Sequence, residues 1–130
     1  ARGGLLSQGH PYAGGGELDS LAWYGANSDA RYHPNLNGKG TQPVGLKRPN
    51  ELGLFDMSGN VWEWCWDWFG ATYYRQSPAD APRGPETGTT RVVRGGAWPN
   101  EAVLARTASR NVGLPNYRFA LLGFRLARTL

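Results

Sequence analysis

The sequence predicts one packed domain of short strands and short helices in which much of the chain is irregular loop. The 130 residues include 19 Gly and 9 Pro, about a fifth of the chain, against a usual combined share of about 12%. This content indicates many turns and excludes coiled coils and helical bundles. The 6 Trp residues supply enough apolar area for a packed core and exclude intrinsic disorder. The length suits a single domain.

Residues 1–50 carry the least regular structure. Gly and Pro interrupt this segment repeatedly, so we expect mostly loop. One short helix is predicted over residues 17–24, because Leu18, Leu21 and Ala22 share a helical face.

Three later segments predict strands. Within residues 61–69, tryptophan occupies every second position from 62 to 68. A regular strand there would place these four aromatic side chains on one face: Trp62, Trp64, Trp66 and Trp68. Residues 91–94 form a short β-branched strand that ends at two glycines. Residues 122–128 predict a final strand with Leu122, Phe124 and Leu126 on one side. Residues 99–121 have no convincing period.

Charge and cysteine content narrow the function classes. The net charge is +4, but 12 of the 14 basic residues are scattered arginines, so we expect no nucleic-acid partner. Such arginines either brace backbone carbonyls or hold an anionic ligand. The single Cys65 excludes an internal disulfide and a zinc site built on paired cysteines, and a buried inert thiol is expected. No apolar run could span a bilayer, so no direct membrane insertion is expected.

Oxygen donors cluster around Gly59. Asp56, Ser58, Asn60 and Glu63 are spaced like the beginning of a calcium loop, and Ca²⁺ takes six to eight oxygen ligands. On spacing alone an Asx turn leading into the strand explains the same residues, and both interpretations stay open at this point.

Three motifs in order resemble the formylglycine-generating enzyme (sulfatase-modifying factor) family. They are NELGLFDMSGNVWEW at residues 50–64, RVVRGGAW at 91–98 and LGFR at 122–125. The resemblance implies an α+β, C-type-lectin-like fold with short antiparallel strands, few short helices and much irregular loop. It also implies a single domain over residues 1–130 that forms the C-terminal part of a longer protein.

The resemblance bears on catalysis and on metal binding. Enzymes of this family use a copper-binding cysteine pair, and the matching positions here are Asn100 and Ala105, so we expect no enzymatic activity. The resemblance further implies a structural Ca²⁺, with ligands from the side chains of Asp56 and Glu63 and from the backbone carbonyls of Gly59 and Val61. His10 and His33 make only a weak metal site.

Residues 95–125 also resemble the variable region of diversity-generating retroelement target proteins. In such proteins a fixed frame carries rewritten positions. The frame here would be Arg106, Ala108, Arg110, Pro115, Arg118, Gly123, Phe124 and Arg125. The rewritten, ligand-binding positions, within about residues 99–121, would be Pro99, Asn100, Val103, Leu104, Ser109, Asn111, Val112, Gly113, Leu114, Tyr117, Phe119, Ala120 and Leu121.

These resemblances favour a non-catalytic ligand-binding protein with a variable macromolecular ligand, of which a protein is the favoured class. Val112, Leu114, Tyr117, Phe119 and Leu121 are either core residues or an exposed recognition patch. In an exposed patch Tyr117 and Phe119 would be the anchors. A display role predicts the cell surface or a phage particle, and otherwise the cytoplasm. The alternatives are an oxidoreductase completed by upstream ligands and a carbohydrate-binding domain that uses exposed tryptophans.

Overall fold

Four short strands form one mixed sheet in the computed structural model, which describes residues 3–29 and 40–127. The strands are β1 (Trp62–Trp68), β2 (Arg91–Arg94), β3 (Asn111–Gly113) and β4 (Leu122–Gly123). Their order in the sheet is β3-β2-β1-β4. β1 pairs antiparallel with β2, and β2 with β3. β4 runs parallel to β1, so the expectation of antiparallel pairing alone is wrong at this edge.

Among the described residues, helical structure consists of single 3₁₀ turns, at Gly4–Leu6, Leu18–Ser20, Tyr73–Arg75 and Ala102–Ala105. Within residues 3–29 and 40–127, no helix has the length and apolarity to cross a bilayer. The sequence had no signal for the last of these turns or for β3, because neither is long enough to show a period.

The helix predicted over residues 17–24 is wrong in extent, although its apolar face is confirmed. Leu18, Leu21 and Ala22 are all buried, but the 3₁₀ helix ends at Ser20. Asn27 explains the ending, because its side chain accepts the Tyr24 N–H at 2.9 Å and donates to the Ala22 carbonyl at 3.0 Å. These side-chain bonds replace the backbone bonds of a longer helix.

The core of the described residues includes two small clusters. Leu18, Ala22 and Ala105 form one, and Trp62, Val93 and Ala97 form the other. The first cluster therefore packs the N-terminal loop against the segment after β2. The second joins β1, β2 and the segment that follows β2.

A bulge in β1 changes which tryptophans share a face. Trp64 pairs with Val93 and Trp68 with Arg91, so three β1 residues lie opposite one residue of β2. Trp62 is buried and Trp64 packs on the same cluster, whereas Trp66 is 86% exposed. The prediction of one aromatic face is wrong at Trp66, because a bulge re-aims the side chains that it carries.

The final strand is shorter than predicted. Only Leu122 and Gly123 pair with β1, and Phe124 and Leu126 are 75% and 87% exposed. The predicted strand over residues 122–128 is wrong beyond Gly123 for residues 124–127, and Arg128 lies outside the described residues. β4 lies at the edge of the sheet, and the alternating apolar side chains after Gly123, Phe124 and Leu126, are not covered by another layer of the structure.

Candidate functional site

An apolar groove lies between β3 and the loop that leads to β4. Its volume is about 180 Å³. The floor is Trp62 and Val93 from the sheet core, and Tyr117 and Phe119 stand at the rim with ring centroids 5.9 Å apart. The remaining lining residues are Asn111, Val112, Gly113, Leu121 and Leu122.

The two alternatives for the apolar residues of this region are both realised, at different positions. Val112, Leu114, Tyr117 and Phe119 are 41–55% exposed. Leu121 is half-buried and packs on the Trp62 cluster. The exposed four therefore offer contact area to a ligand, whereas Leu121 belongs to the core.

The thirteen predicted ligand-binding positions divide by exposure. Asn100, Ser109, Gly113 and Leu121 are half-buried. The other nine are exposed: Pro99, Val103, Leu104, Asn111, Val112, Leu114, Tyr117, Phe119 and Ala120.

Three of the half-buried positions make contacts that shape the loop. Asn100 Oδ1 accepts the Ala97 N–H at 2.9 Å, and Ser109 Oγ donates to the Val103 carbonyl at 2.7 Å. A Cβ atom at Gly113 would lie 2.5 Å from the Trp64 ring, far inside van der Waals contact. These positions maintain the platform rather than extend its surface.

Two arginine side chains brace this loop, Arg94 from the sheet and Arg110 from the loop itself. Arg94 Nη1 donates to the carbonyls of Thr107 and Ser109 at 3.3 and 3.0 Å, and its Nη2 donates to the Tyr74 hydroxyl at 2.8 Å. The Arg110 guanidinium lies 4.3 Å from the Tyr74 ring centroid, which is a cation–π distance.

Of the open alternatives for the arginines, bracing is confirmed for Arg94. The predicted frame does not include Arg94, although this residue lies in the RVVRGGAW motif. Alternation along β2 gives no signal for this role, because it places Arg94 on the same face as Val92, which is buried like Val93. The frame residues Arg106 and Arg118 are exposed.

The four predicted calcium ligands line a second cavity of about 530 Å³, beside Phe124 and Arg125. Asp56 Oδ2 accepts the Gly45 N–H at 2.7 Å. Asp56 Oδ1 is buried and has no hydrogen-bond partner. An orphaned carboxylate oxygen of this kind fits a cation, since burying it unpaired is costly. The structure thus brings Asp56, Gly59, Val61 and Glu63 together.

Arg125 competes for the same site. Its Nη2 and Nε donate to Glu63 Oε1 and Oε2 at 2.7 and 2.9 Å, and Nη2 also donates to the Asp56 carbonyl at 3.1 Å. The bond to Glu63 raises the pKa of Arg125. Glu63 therefore fits a cation only if it shares its carboxylate or releases Arg125.

The other oxygen donors of the calcium-like spacing have structural roles. Ser58 Oγ donates to the Ala105 carbonyl at 2.9 Å. The Asn60 amide exchanges bonds with the backbone of Gln42 at 2.9 and 3.1 Å. Across the described ranges, no three His, Cys, Asp or Glu side chains cluster as metal ligands, so an ion here would need backbone carbonyls.

The profile of the sulfatase-modifying factor enzyme 1-like domain family matches residues 1–130. The chain belongs to this family. A formylglycine-generating enzyme from Streptomyces coelicolor is 42% identical over 135 residues, which cover 98% of this chain and 42% of that protein. The chain thus spans less than half the length of this curated relative.

Solved structures show the same fold for this sulfatase-modifying factor domain. Treponema denticola variable protein 1 superimposes with a TM-score of 0.70 at 38% identity, over 84% of this chain and 36% of that chain. PvdO from Pseudomonas aeruginosa superimposes with a TM-score of 0.64 at 28% identity, over 88% of this chain and 42% of that chain. The α+β, C-type-lectin-like class is therefore confirmed, and so is the resemblance to a variable protein.

In this sulfatase-modifying factor domain, the two positions that we expected from the sequence to match the family's cysteine pair, Asn100 and Ala105, have structural contacts. Ala105 is 2% exposed and packs on Leu18 and Ala22. Asn100 holds the turn after β2, because its Oδ1 accepts the Ala97 N–H. Neither side chain offers a soft ligand.

The remaining soft or imidazole ligands lie apart. Cys65 is a free, half-buried thiol on β1, and burial raises its pKa. This agrees with an unreactive side chain, although Cys65 is less buried than expected. His10 is half-buried and hydrogen-bonds Gln8 at 3.2 Å. His33 lies outside the described residues.

Proposed function

We propose that this protein is a non-catalytic ligand-binding domain, the variable protein of a diversity-generating retroelement. It presents exposed side chains from residues 99–121 to a macromolecular ligand, of which a protein is the favoured class. The proposal extends to this chain what the resemblance and the name of the Treponema denticola relative suggest.

The observation that carries the proposal is the apolar exposure around the groove. Tyr117 and Phe119 are 53% and 55% exposed and stand together over a floor of core residues. Large aromatic side chains that stay exposed on a braced loop are typical of binding surfaces, because they bury much area at low entropic cost. The polar turn contacts of Asn100 and Ser109 keep the backbone in place while neighbouring side chains differ.

The lack of a cysteine pair supports a non-catalytic role. The side chains at positions 100 and 105 are an amide and a methyl group. They cannot replace the thiolates that bind the copper ion in the family's enzymes. Incubation with Cu(I) and a sulfatase-type cysteine peptide should give no formylglycine product. Turnover that survives Cys65→Ser would overturn this part of the proposal.

The display role has a direct test. Eight of the nine exposed positions can be replaced together by Asn, since position 111 is already Asn. In a separate variant, the half-buried set Asn100, Ser109, Gly113 and Leu121 is replaced by Ala. We expect the eight-fold variant to keep a cooperative thermal transition near that of the wild type, and the four-fold variant to lose stability. If the eight-fold variant unfolds and the four-fold one does not, the display surface is misplaced.

The retroelement origin is tested in the genome. A reverse-transcriptase gene should lie nearby with a near-copy of the DNA for residues 99–121, differing only at adenines. A complete genome without such a copy would reject the retroelement and leave an ordinary ligand-binding domain.

We also propose that Ca²⁺ binds beside Asp56, with Gly59, Val61 and Glu63 as further ligands. The buried orphan Asp56 Oδ1 supports it. Calcium titration of metal-stripped protein should release or absorb heat and raise the melting temperature, and Asp56→Ala should abolish both effects. Absence of both effects in the wild type would reject the site.

A further inference from the structure

The β1 bulge exposes one tryptophan beside a cleft that shares no lining residue with the apolar groove. Trp66 is 86% exposed, and the cleft next to it has a volume of about 670 Å³. The bulge alone explains how a tryptophan of a core strand reaches the surface. Exposure of so large an apolar ring is costly in water and is typical of a binding platform.

The opposite wall of the cleft is the segment 82–86, which lies close against β1. Gly84 has a positive φ of 77°, and a Cβ there would lie 3.0 Å from Asp67 Cβ and 3.2 Å from the Trp68 carbonyl oxygen. Only glycine permits this close approach without strain. The cleft is therefore built by a specific backbone conformation, and its width is set by the sequence.

Arg91 fixes the aromatic side of the cleft. Its guanidinium lies 3.6 Å from the Trp68 ring centroid and 5.1 Å from that of Trp66, and its Nη1 donates to the Trp66 carbonyl. Both the ring and the backbone of the bulge are thus held by one side chain, which preorganises the platform.

The charges along the cleft balance. Two residues with carboxylates, Asp67 and Glu86, and two with guanidinium groups, Arg83 and Arg91, line it. Such a rim favours neither an anion nor a cation, but it offers both acceptors and donors. An aromatic platform with both kinds of polar group at its edge suits a ligand that has an apolar face and many hydroxyl groups.

We propose that the cleft of Trp66, Asp67, Arg83, Glu86 and Arg91 binds a neutral saccharide. The apolar C–H face of a pyranose ring stacks on the Trp66 indole, while its hydroxyl groups donate to the carboxylates and accept from Arg83. This site is independent of the proposed display surface at Tyr117 and Phe119.

Titration of the protein with cellohexaose, chitohexaose, xylohexaose and mannohexaose, followed by tryptophan fluorescence and calorimetry, tests the site. We expect saturable binding of at least one. Trp66→Ala should weaken it by about tenfold or more, whereas Trp66→Tyr should retain most of it. Since the Trp66 side chain is exposed, the melting temperature of Trp66→Ala should stay within a few degrees of the wild type.

Two further variants keep the test decisive. Glu86→Gln changes an exposed rim residue and should also weaken binding, and Tyr117→Ala should leave saccharide affinity unchanged. The anionic polysaccharide heparin is titrated as a comparison. No binding of any of the four neutral saccharides at about 10 mM, equal affinity of Trp66→Ala and wild type, or binding of heparin alone would each overturn the proposal. Loss of saccharide binding in Tyr117→Ala would instead place the saccharide at the groove.

Discussion

Arg125 Nη2 and Nε donate to the two carboxylate oxygens of Glu63 at 2.7 and 2.9 Å. This bidentate pair ties the segment after β4 to β1, the strand that β4 joins through only two residue pairs. The two side chains are 35% and 21% exposed, so solvent screens part of their attraction.

Arg125→Lys should therefore lower the free energy of unfolding by about 0.5–1 kcal/mol, because lysine cannot make both bonds and the pair is partly solvated. Urea unfolding followed by fluorescence measures this change. Arg106→Lys, at an exposed position, is the matched control and should have little effect.

The same pair predicts how calcium and arginine interact. If Glu63 ligates the ion, Arg125→Ala should tighten calcium binding, because a cation is removed from the site. Calorimetric calcium titrations of the wild type and of Arg125→Ala measure the difference in calcium affinity. Weaker calcium binding in Arg125→Ala would mean that Arg125 organises the site instead of competing for it.

Gly113→Ala should destabilise the protein by about 1–3 kcal/mol, the usual cost of overpacking. The added Cβ would lie 2.5 Å from Trp64 Cη2, so the indole or β3 must move. Val112→Ala, on the same strand but exposed, should cost much less. Equal stability of Gly113→Ala and wild type in chemical denaturation would show that position 113 is free to vary.

Ser58→Ala should cost about 1–3 kcal/mol, the range for leaving buried backbone groups unpaired. Ser58 is 1% exposed, and its Oγ accepts the Ala13 N–H at 3.3 Å and donates to the Ala105 carbonyl at 2.9 Å. Thermal unfolding of Ser58→Ala against Ser7→Ala, an exposed serine, isolates the effect of burial. Similar melting temperatures would indicate that water replaces the hydroxyl.

Tyr117→Ala and Phe119→Ala should each change the unfolding free energy by less than about 1 kcal/mol, as is usual for surface positions. Trp62→Ala, which removes a buried ring under the same groove, should cost about 3–5 kcal/mol. The unfolding free energies of the three variants, measured in guanidinium chloride, distinguish the rim residues of the groove from the floor residue. Unfolding of the rim variants would assign Tyr117 and Phe119 to the core.

The Cys65 thiol should react slowly with Ellman's reagent at pH 8 relative to free cysteine, because burial raises its pKa. The folded chain holds this proton more tightly than the unfolded chain. The thiol's contribution to stability is therefore fully present below the unfolded pKa and is lost as pH rises through the folded pKa. Cys65→Ser should flatten the stability profile in that alkaline window, and an unchanged profile would contradict the shift.

The sequence predicted the positions of β1 and β2 better than it predicted which of their side chains are exposed to solvent. Alternation predicted β1, and two β-branched residues followed by two glycines predicted β2. The helical spacing of Leu18, Leu21 and Ala22 correctly identified buried residues. The bulge in β1 could not be predicted, since an alternating run does not reveal how many residues its partner strand supplies. The exposure of Trp66 follows from that count alone.

By itself the sequence determined the family, the loop-rich α+β class and the absence of a cysteine pair, because these depend on residue identity and local spacing. Tertiary structure decided which of the thirteen predicted ligand-binding positions face solvent and which hold the loop. It also decided that the Glu63 carboxylate pairs with the Arg125 guanidinium, which is 62 residues away in the sequence. Such contacts depend on how distant segments pack, and no local pattern encodes the partner that a side chain finds.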